Sequence, residues 1–409
     1  LSEMLKATVI AMLCTATCVD AFASSLSSPL PPPSSSPPLS LPSPLTEPDY
    51  AFYSSVCDEN MTFMRLAFTK VVDGRTVTEY LTDTAIGSAW KPIASPDGSK
   101  LTFFTSPDVD FTTPNQIAIM DRDGSNLRKL TDGYAQWNPN FLRDGSDRVS
   151  FFRMTAFESL GVPLFNFSQP TCGYTVQWGC TITTWITSAA SSPGEEALLT
   201  TNFPSEQAQI GRIGREQVLD SFEDGSMLML KISHSVLGED DITTQPCRLT
   251  YDEGETSCTN FHLEGIEWNT EVCFSFVSST QRYLTYLKGF PQLGGNAVPL
   301  WGQVCFAEID LENNVISNEA CFDGNVFDET YPERVFWYAK MTQDETQILY
   351  VKSDACHKGD PCYLLGDGFG GQGRVYAYDI KTGNSARVSS DDDAFWHRYI
   401  SPLNYNVAL

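Results

Sequence analysis

The chain has 409 residues, of which 42% are hydrophobic and 12% aromatic, and this is ample material for a large packed core. Its 51 acidic side chains outnumber its 26 basic ones, so the formal net charge at pH 7 is −25. Such a surface repels phosphate backbones, which excludes nucleic acid as an expected partner. The acidity fits solubility, or alternatively attraction to cations and basic partners.

The N-terminal segment has the pattern of a secretory signal peptide. Lys6 precedes the apolar run ATVIAMLCTATCV, and Ala21-Phe22-Ala23 supplies a small-x-small cleavage site. The run is short for a bilayer, and no later stretch reaches transmembrane length, so we expect no membrane span. The sequence predicts a signal peptide at residues 1–23 and a secreted protein, either free or associated with a cell wall or surface.

The next segment, residues 24–49, consists almost entirely of Ser, Pro and Leu. Proline fixes φ and removes a hydrogen-bond donor, so this composition favours an extended linker. The pattern PLPPPSSSPP resembles the hydroxyproline-rich spacers of plant and algal wall glycoproteins, and it also fits an unmodified spacer. We therefore place the folded domain at residues 50–409.

From residue 50 onwards the chain reads as short strands and turns, and one unit recurs. The unit begins with an innermost strand, passes a turn such as Ser-Pro-Asp-Gly and ends with a second strand. Its copies lie at 90–106, 136–153, 217–233, 267–288 and 336–353, with a truncated copy at 395–404. Hairpins with Asp, Asn or Gly in the turn alternate with these copies, at 65–83, 116–132, 181–201, 247–262, 304–322 and 374–390.

Six inner units and six hairpins predict six antiparallel blades of four strands each. A single sheet of this kind cannot bury both of its faces, whereas in a ring each blade packs on the next. The first hairpin follows the N-terminal strand DYAFYSS, and the matching innermost strand FWHRYIS appears at the far end. We therefore predict an all-β, six-bladed β-propeller that is closed by pairing of its N- and C-terminal strands.

The segment SPDGSKLTFFTS…QIAIMDRDGSNLRKLTDGYAQWNPNFLRDGSDRVSFFR resembles the repeats of TolB-type β-propellers. That repeat runs roughly Pro-x-Trp-Ser-Pro-Asp-Gly, an apolar strand, a second strand, Asp-x-x-Gly and Leu-Thr. The resemblance implies a six-bladed propeller. Propellers of this family commonly serve as binding platforms and some relatives are enzymes, so the resemblance leaves the activity open.

Removal of Cys14 and Cys18 with the signal peptide leaves ten cysteines, an even number that suggests disulfides in an exported chain. Cys305 and Cys321 flank a hairpin turn symmetrically and should face each other. The full set of pairs close in sequence is Cys172–Cys180, Cys247–Cys258, Cys305–Cys321 and Cys356–Cys362, with Cys57 and Cys273 left over. Sequons at Asn60 and Asn166 are compatible with glycosylation.

One repeat position carries the best candidates for ligand binding. Tryptophans stand eight residues before the turn in four copies, and a fifth approximates this position: Trp90, Trp137, Trp337 and Trp396, with Trp268 as the fifth. At the mouth of a channel their rings could stack on sugars, peptide side chains or cations, or they could wedge between blades as structural filling. His397, beside Trp396, is a further candidate.

The face where the innermost strands begin, here called the loop face, also collects the long insertions 154–181, 233–247, 289–303 and 353–373. Insertions gathered on one face of a repeat protein usually mark its binding surface. Acidic residues on this face form either a Ca²⁺ site or a plain solvated rim, and the candidate ligands are Asp323, Asp328, Asp391, Asp392 and Asp393. We expect no other cofactor.

Signals of catalysis are few. There is no Gly-x-Ser-x-Gly motif, and the four histidines are scattered without metal-binding spacing. The sequence therefore favours a non-catalytic binding or scaffold protein that recognises a protein or a glycan on its loop face. The alternatives are an extracellular polysaccharide hydrolase or lyase that depends on carboxylates or Ca²⁺, and a structural component of a wall or surface coat.

Overall fold

The computed structural model describes thirteen stretches of the chain, to which all structural statements refer: residues 50–57, 64–106, 115–132, 136–156, 180–199, 212–235, 243–252, 255–268, 272–289, 302–322, 335–353, 373–389 and 397–402. These residues form β-strands and one short 3-10 turn at Thr84–Ile86. Of the predicted segments, the signal peptide and the Ser/Pro linker lie outside them. Among the described residues, no helix has the length and apolar character needed to cross a membrane.

The strands fall into six sheets, which we number as blades in chain order. Blade 1 contains β1 (Tyr50–Cys57), β2 (Met64–Val72), β3 (Arg75–Tyr80) and β25 (His397–Pro402). Blade 2 contains β4 (Ser88–Ala94), β5 (Lys100–Ser106), β6 (Gln116–Asp121) and β7 (Arg128–Lys129). Blade 3 contains β8 (Gln136–Phe141), β9 (Arg148–Ala156), β10 (Cys180–Ser188) and β11 (Ala197–Leu198).

Blade 4 contains β12 (Arg212–Ser221), β13 (Met227–Ser235), β14 (Thr243–Asp252) and β15 (Glu255–Asn260). Blade 5 contains β17 (Val272–Val277), β18 (Tyr283–Gly289), β19 (Gly302–Asp310) and β20 (Val315–Phe322), and the short β16 (His262–Leu263) pairs in parallel with β20. Blade 6 contains β21 (Val335–Met341), β22 (Gln347–Ser353), β23 (Gly373–Asp379) and β24 (Asn384–Arg387). The β16 addition, which the repeat pattern did not predict, links blade 4 to blade 5.

The ring closes in blade 1, where the sheet order is β25-β1-β2-β3. Tyr53 pairs with Ser401 and Ser54 with Ile400, so the two ends of the domain lie side by side in one antiparallel ladder. Each blade contacts the next one, and blade 6 contacts β25. The fold is therefore a six-bladed β-propeller of four-stranded blades, and the predicted architecture and closure are confirmed.

Burial on both faces of the blades explains why the sheets need one another. Along β5, Leu101 and Phe103 pack in a cluster with blade 1, whereas Phe104 belongs to the large cluster that extends through the other blades. An isolated four-stranded sheet would leave one of these faces in water. It would then lose the hydrophobic stabilisation of about 25 cal/mol for every Å² of apolar surface that burial of this face provides. The ring provides the second partner for each face.

The turns that follow the innermost strands share one design. In blade 2, Gly98 has a φ of 68°, and its N–H donates to Ser95 O at 2.8 Å. The side chain of Asp97 accepts from Ser99 N at 3.0 Å, and the hydrogen bonds from Ser95 and Ser99 hold the pKa of Asp97 below its ordinary value. Glycine is needed here because a positive φ carries a steric cost for most other residues. These turns define the turn face of the propeller, opposite the loop face.

Two of the predicted disulfides are present in the described residues. Cys305 lies directly opposite Cys321 in the β19–β20 ladder, as the hairpin symmetry predicted, with 4.1 Å between the Cα atoms. Cys247 of β14 bonds to Cys258 of β15. The described regions include the backbones of Cys57, Cys180 and Cys273 in strands but not their side chains, and the remaining cysteines, Cys172, Cys356 and Cys362, lie outside them.

Candidate functional site

The innermost strands of all six blades meet around the central axis, and at the turn end of the channel they enclose a pocket of about 280 Å³. We call it the axial pocket. Each blade contributes a residue to its wall: Ser401, Ile93, Asn140, Asp220, Phe276 and Lys340, in blade order. The propeller therefore assembles, from residues far apart in sequence, one small site on its axis.

Five of these wall residues occupy one repeat position. Each stands two places before the residue whose backbone N–H closes the turn, namely Ser95, Leu142, Phe222, Ser278 and Thr342 in blades 2 to 6. The position is equivalent in the fold, yet it holds Ile, Asn, Asp, Phe and Lys in turn. A ring with six-fold backbone repetition thus has a chemically asymmetric interior.

Bulges in the innermost strands direct the side chain at this position towards the axis. In blade 2, Trp90 pairs with Phe104 and Ile93 with Thr102, so two residues of β4, Lys91 and Pro92, oppose a single residue of β5. The same irregularity occurs in β8 after Trp137. A bulge bends the strand and redirects the next side chain, and Pro92 is tolerated because the bulge interrupts the ladder.

Asp220 is the buried anion of the site, with only 3% of its surface exposed. One carboxylate oxygen, Oδ1, accepts from Ser221 N at 2.8 Å and Asn140 Nδ2 at 3.2 Å. The other oxygen, Oδ2, accepts from Val277 N at 2.8 Å and from Arg143 Nη2 at 3.2 Å. Both oxygens are therefore engaged by donors from three neighbouring blades, and Asp220 acts as an anchor of the ring.

Arg143 connects the same three blades from the turn after β8. Its guanidinium donates to Ser278 O at 2.7 Å and also to Val277 O, in addition to its ion pair with Asp220. Its backbone N–H donates to Ser221 Oγ at 2.7 Å. A guanidinium with several fixed donors suits this bridging task, and its charge is neutralised by Asp220.

Lys340 is the second cation of the axial pocket, and it differs from Arg143 in its partners. Its Nζ lies 4.3 Å from the centroid of the Phe276 ring. Among the described residues, no carboxylate forms an ion pair with this amino group and no hydrogen bond to it is found. The pKa of Lys340 is lowered to about 8, mainly by burial; Asp220 opposes this shift, and Arg143 adds to it. The site therefore contains a half-buried, partly desolvated ammonium.

A smaller cavity of about 20 Å³ adjoins the axial pocket and shares Ile93, Asn140 and Phe276 with it. Ser275 lines this cavity, and its buried hydroxyl has no hydrogen-bond partner in the described part of the chain. The volume suits one water or one polar atom of a ligand. Polar groups of the site thus extend from the turn face into the channel.

A separate polar cluster surrounds Glu319 of blade 5. Its carboxylate accepts from Tyr286 Oη, from Lys288 Nζ at 2.6 Å and from Trp268 Nε1 at 3.4 Å. Burial and the nearby carboxylate raise the pKa of Tyr286, which therefore remains a neutral donor. Cys305 and Cys321 approach Glu319 closely, but because their sulfurs are bonded to each other they offer no thiolate to a metal. This cluster braces the blade rather than forming a site.

The predicted tryptophan position is described for two members. Trp90 is 2% exposed and stacks on Phe104, with 6.3 Å between ring centroids, whereas Trp268 is 4% exposed and meets Tyr286 edge-on at 5.0 Å. The backbones of Trp137, Trp337 and His397 lie in innermost strands, and their side chains are not described. Binding of a ligand by the tryptophan ring stays a prediction.

The remaining predicted site residues lie outside the described stretches, and so does most of the loop face: Trp396, Asp323, Asp328, Asp391, Asp392, Asp393, Asn60 and Asn166. Sequence reasoning, in turn, missed Arg143, Asp220 and Lys340. A signal for Lys340 was present, because it follows Trp337 by three residues, as Ile93 follows Trp90. The spacing from the tryptophan thus identifies the equivalent positions, and the residue type at this position differs from blade to blade.

Comparisons with known proteins support the fold and go no further. Neither protein-family models nor the sequences of curated proteins gave a match. Among solved structures, the chain is similar to the hydrazine synthase of Kuenenia stuttgartiensis, with a TM-score of 0.51 and 12% identity over 88% of this chain. It spans about half of that protein's length, since the match covers 47% of that chain. At this identity the likeness shows the fold alone.

Two further structures give lower TM-scores. A putative 6-phosphogluconolactonase from Bacteroides uniformis gives a TM-score of 0.43 at 10% identity, covering 88% of this chain and all of the other. A chain of a nidogen/laminin complex gives 0.45 at 6% identity, covering 86% and 97% of the two chains. Likenesses at these TM-scores carry no argument about this chain, so its function has to be argued from the site.

Proposed function

We propose that this protein is a secreted, non-catalytic binding propeller that recognises a protein or a glycan. The axial pocket is the observation that supports the non-catalytic part of this proposal. All six blades contribute to its wall, and the lone pairs of its buried carboxylate, Asp220, are occupied by four hydrogen bonds. A general base or nucleophile needs a lone pair that faces the substrate, whereas the arrangement around Asp220 favours a rigid site for recognition.

The surface for a large partner is proposed to be the loop face. This part of the proposal depends on the repeated tryptophan position and on the long insertions found in the sequence. The resemblance to TolB-type repeats supports it, since propellers of that kind commonly serve as binding platforms. Ca²⁺ at the acidic segments 323–328 and 391–393 would be an accessory to such binding.

Secretion is supported by the disulfides Cys247–Cys258 and Cys305–Cys321, which are typical of extracellular or other oxidising compartments. We propose that residues 1–23 direct export, that residues 24–49 form a linker and that residues 50–409 form the propeller. A mass measurement of the exported protein tests the cleavage after Ala23. A mature N-terminus within the propeller would contradict this division.

The binding function is tested with a glycan array and a pull-down from extracellular extracts. We expect capture of a partner by the wild-type protein and loss of that capture in Trp137→Ala and Trp396→Ala. Trp185→Ala serves as the matched control, because this half-buried tryptophan lies on β10, away from the innermost strands. Equal capture by all folded variants would refute the tryptophan ring as the binding surface.

A turnover assay on a polysaccharide panel separates binding from catalysis. Product formation that is lost in a chelator, or on Asp→Asn changes at 391–393, would contradict the proposal and support the hydrolase or lyase alternative. Deletion of residues 24–49 tests the structural alternative. If this deletion abolishes localisation while binding in solution persists, the linker is the main determinant of the role in the wall or coat.

A further inference from the structure

The axial pocket contains a cation that forms no ion pair within the described residues. Arg143 and Asp220 form one ion pair at 3.2 Å and neutralise each other. Lys340 adds a second cation, and within the described residues it has no carboxylate inside ion-pair distance. Glu223 also lines the pocket, but it is exposed at the rim on the turn face. The charged lining residues therefore balance in number, and the feature that distinguishes the site is the ammonium of Lys340, which has no ion-pair partner among the described residues.

Part of the wall next to this charge is apolar, although polar residues such as Ser278 and Gln343 make up the larger share of the lining. Phe276, Phe141, Val277 and Met341 line the same pocket as the lysine, together with Ile93 of blade 2. The volume of about 280 Å³ lies just below the range of about 300–1,000 Å³ that is typical of small-molecule sites. An occupant that fits this wall is small, with an apolar part that packs on these side chains and one group that can satisfy the ammonium.

The chemistry of the donors favours a single negative charge. A phosphate dianion is usually held by several charged donors, often by a bidentate arginine. Here the guanidinium of Arg143 is directed at Asp220 and at two backbone carbonyl oxygens, so one ammonium remains for the ligand. Asn140 is likewise engaged, donating to Leu219 O at 2.9 Å and to Asp220. A carboxylate matches the one remaining donor group.

The inner end of the pocket supplies a second, independent observation. Ser275 is fully buried beside the adjoining 20 Å³ cavity, and its hydroxyl has no hydrogen-bond partner among the described residues. A buried hydroxyl without a partner raises the free energy of the protein, because it has lost its hydrogen bonds to water and gained none in return. A polar atom of a ligand, or a water held beneath the ligand, would satisfy this hydroxyl.

We propose that the axial pocket binds a small carboxylate that carries an apolar substituent. The carboxylate accepts hydrogen bonds from Lys340 Nζ, and the substituent packs against Phe276 and the neighbouring apolar wall. The inference deepens the proposed binding function, since it names the ligand class of a site on the propeller axis. The acid is either a free small molecule or the C-terminal carboxylate of a peptide, because both present the same chemistry to the lysine.

Isothermal titration calorimetry with 3-phenylpropanoate and its neutral analogue 3-phenylpropanamide tests this site. We expect the acid to bind the wild-type protein and the amide to bind about 10- to 100-fold more weakly, as for the loss of one charged hydrogen bond. Lys340→Met should weaken binding of the acid by the same factor and leave the amide unchanged, whereas Lys340→Arg should retain binding. Lys70→Met is the matched control, because Lys70 also lies over a phenylalanine ring, but on blade 1 and outside the pocket.

A second arm distinguishes the source of the carboxylate. The peptide acetyl-Gly-Gly-Phe is titrated with a free and with an amidated C-terminus. Tighter binding of the free acid form than of 3-phenylpropanoate indicates a peptide terminus, and the reverse order indicates a free small acid. Equal affinity of acid and amide, unchanged binding in Lys340→Met, or no binding of any of these acids to the wild-type protein would overturn the inference.

The two proposals fail in different ways. Equal partner capture by the wild type and by the folded tryptophan variants, with carboxylate binding intact, would refute the tryptophan surface on the loop face and leave the axial pocket as proposed. Persistent capture on the glycan array or in the pull-down, with no carboxylate binding, would refute the pocket and leave the binding function. Both measurements are made on the same set of folded variants.

Discussion

Replacement of Lys340 by methionine should stabilise the free protein at neutral pH. Methionine retains the unbranched stem of lysine and removes the ammonium, which in the native protein lies over the Phe276 ring without a carboxylate in ion-pair contact among the described residues. Burial lowers the pKa of Lys340 from 10.5 to about 8, with Arg143 acting in the same direction and Asp220 opposing. A lowered pKa means that the folded state disfavours the charged form.

The sign and the size of the stability change on Lys340→Met follow from proton linkage. Below pH 8 the lysine is charged in the folded and the unfolded state, and the full penalty applies. Between pH 8 and 10.5 the unfolded state binds more protons than the folded state, so the wild-type protein gains stability as pH rises. The pKa difference corresponds to at most about 3 kcal/mol at pH 7 and to about half of that at pH 9.5.

The assay is urea unfolding of wild type, Lys340→Met and Lys70→Met at pH 7 and at pH 9.5. We expect Lys340→Met to exceed the wild type in free energy of unfolding at pH 7, and we expect this advantage to shrink by about half at pH 9.5. Lys70→Met should show no such pH-dependent difference. An advantage that is absent at pH 7, or that grows with pH, would refute a desolvated ammonium at this position.

Other predictions concern the ring and its braces, each measured as the change in free energy of unfolding. Asp220→Ala should destabilise the protein by about 3–5 kcal/mol, since it leaves buried donors uncompensated, whereas Lys100→Met, which removes a surface pair, should change stability by less than about 1 kcal/mol. Ile400 is fully buried in the closing strand, and Ile400→Ala should cost about 2–5 kcal/mol, against about 0.5 kcal/mol for Val77→Ala at an exposed position of β3; equal effects would contradict closure through β25. Replacement of both Cys305 and Cys321 by alanine should lower the free energy of unfolding by about 2–4 kcal/mol relative to the oxidised wild type. The disulfide's contribution should disappear from this difference when the wild type is measured in its reduced form.

The repeat made the fold predictable. Alternation of apolar residues marks the strands, and the recurring Asp-Gly turns mark where each innermost strand ends, so the number of blades follows from local signals alone. That Cys305 lies opposite Cys321 could be predicted from the sequence for the same reason, since a hairpin turn sets the register of its two strands. The parallel pairing of β16 with β20 could not be predicted. A strand of two residues has no detectable sequence period, and this one forms only by pairing with the neighbouring blade.

The candidate site was predictable only in part, because its members are far apart in the chain. Sequence reasoning selected tryptophans by their repetition, and Trp90 and Trp268 turn out to be buried against Phe104 and Tyr286. The residues that give the axis its charge do not repeat. Lys340 occupies the position that is isoleucine in blade 2, and a repeat search averages out such a difference.

By itself, the order of amino acids determined the strands, the turns, the count of blades and the pairing of the chain ends, since these depend on contacts between neighbours in the chain and on a period that can be read along it. Tertiary structure alone decided what the axis contains. Arg143, Asp220 and Lys340 come from three different blades, and only closure of the ring brings the first two into an ion pair while leaving the third without one among the described residues. Net charge and hydrogen bonding in a pocket depend on which side chains meet there, and this is a property of the closed ring.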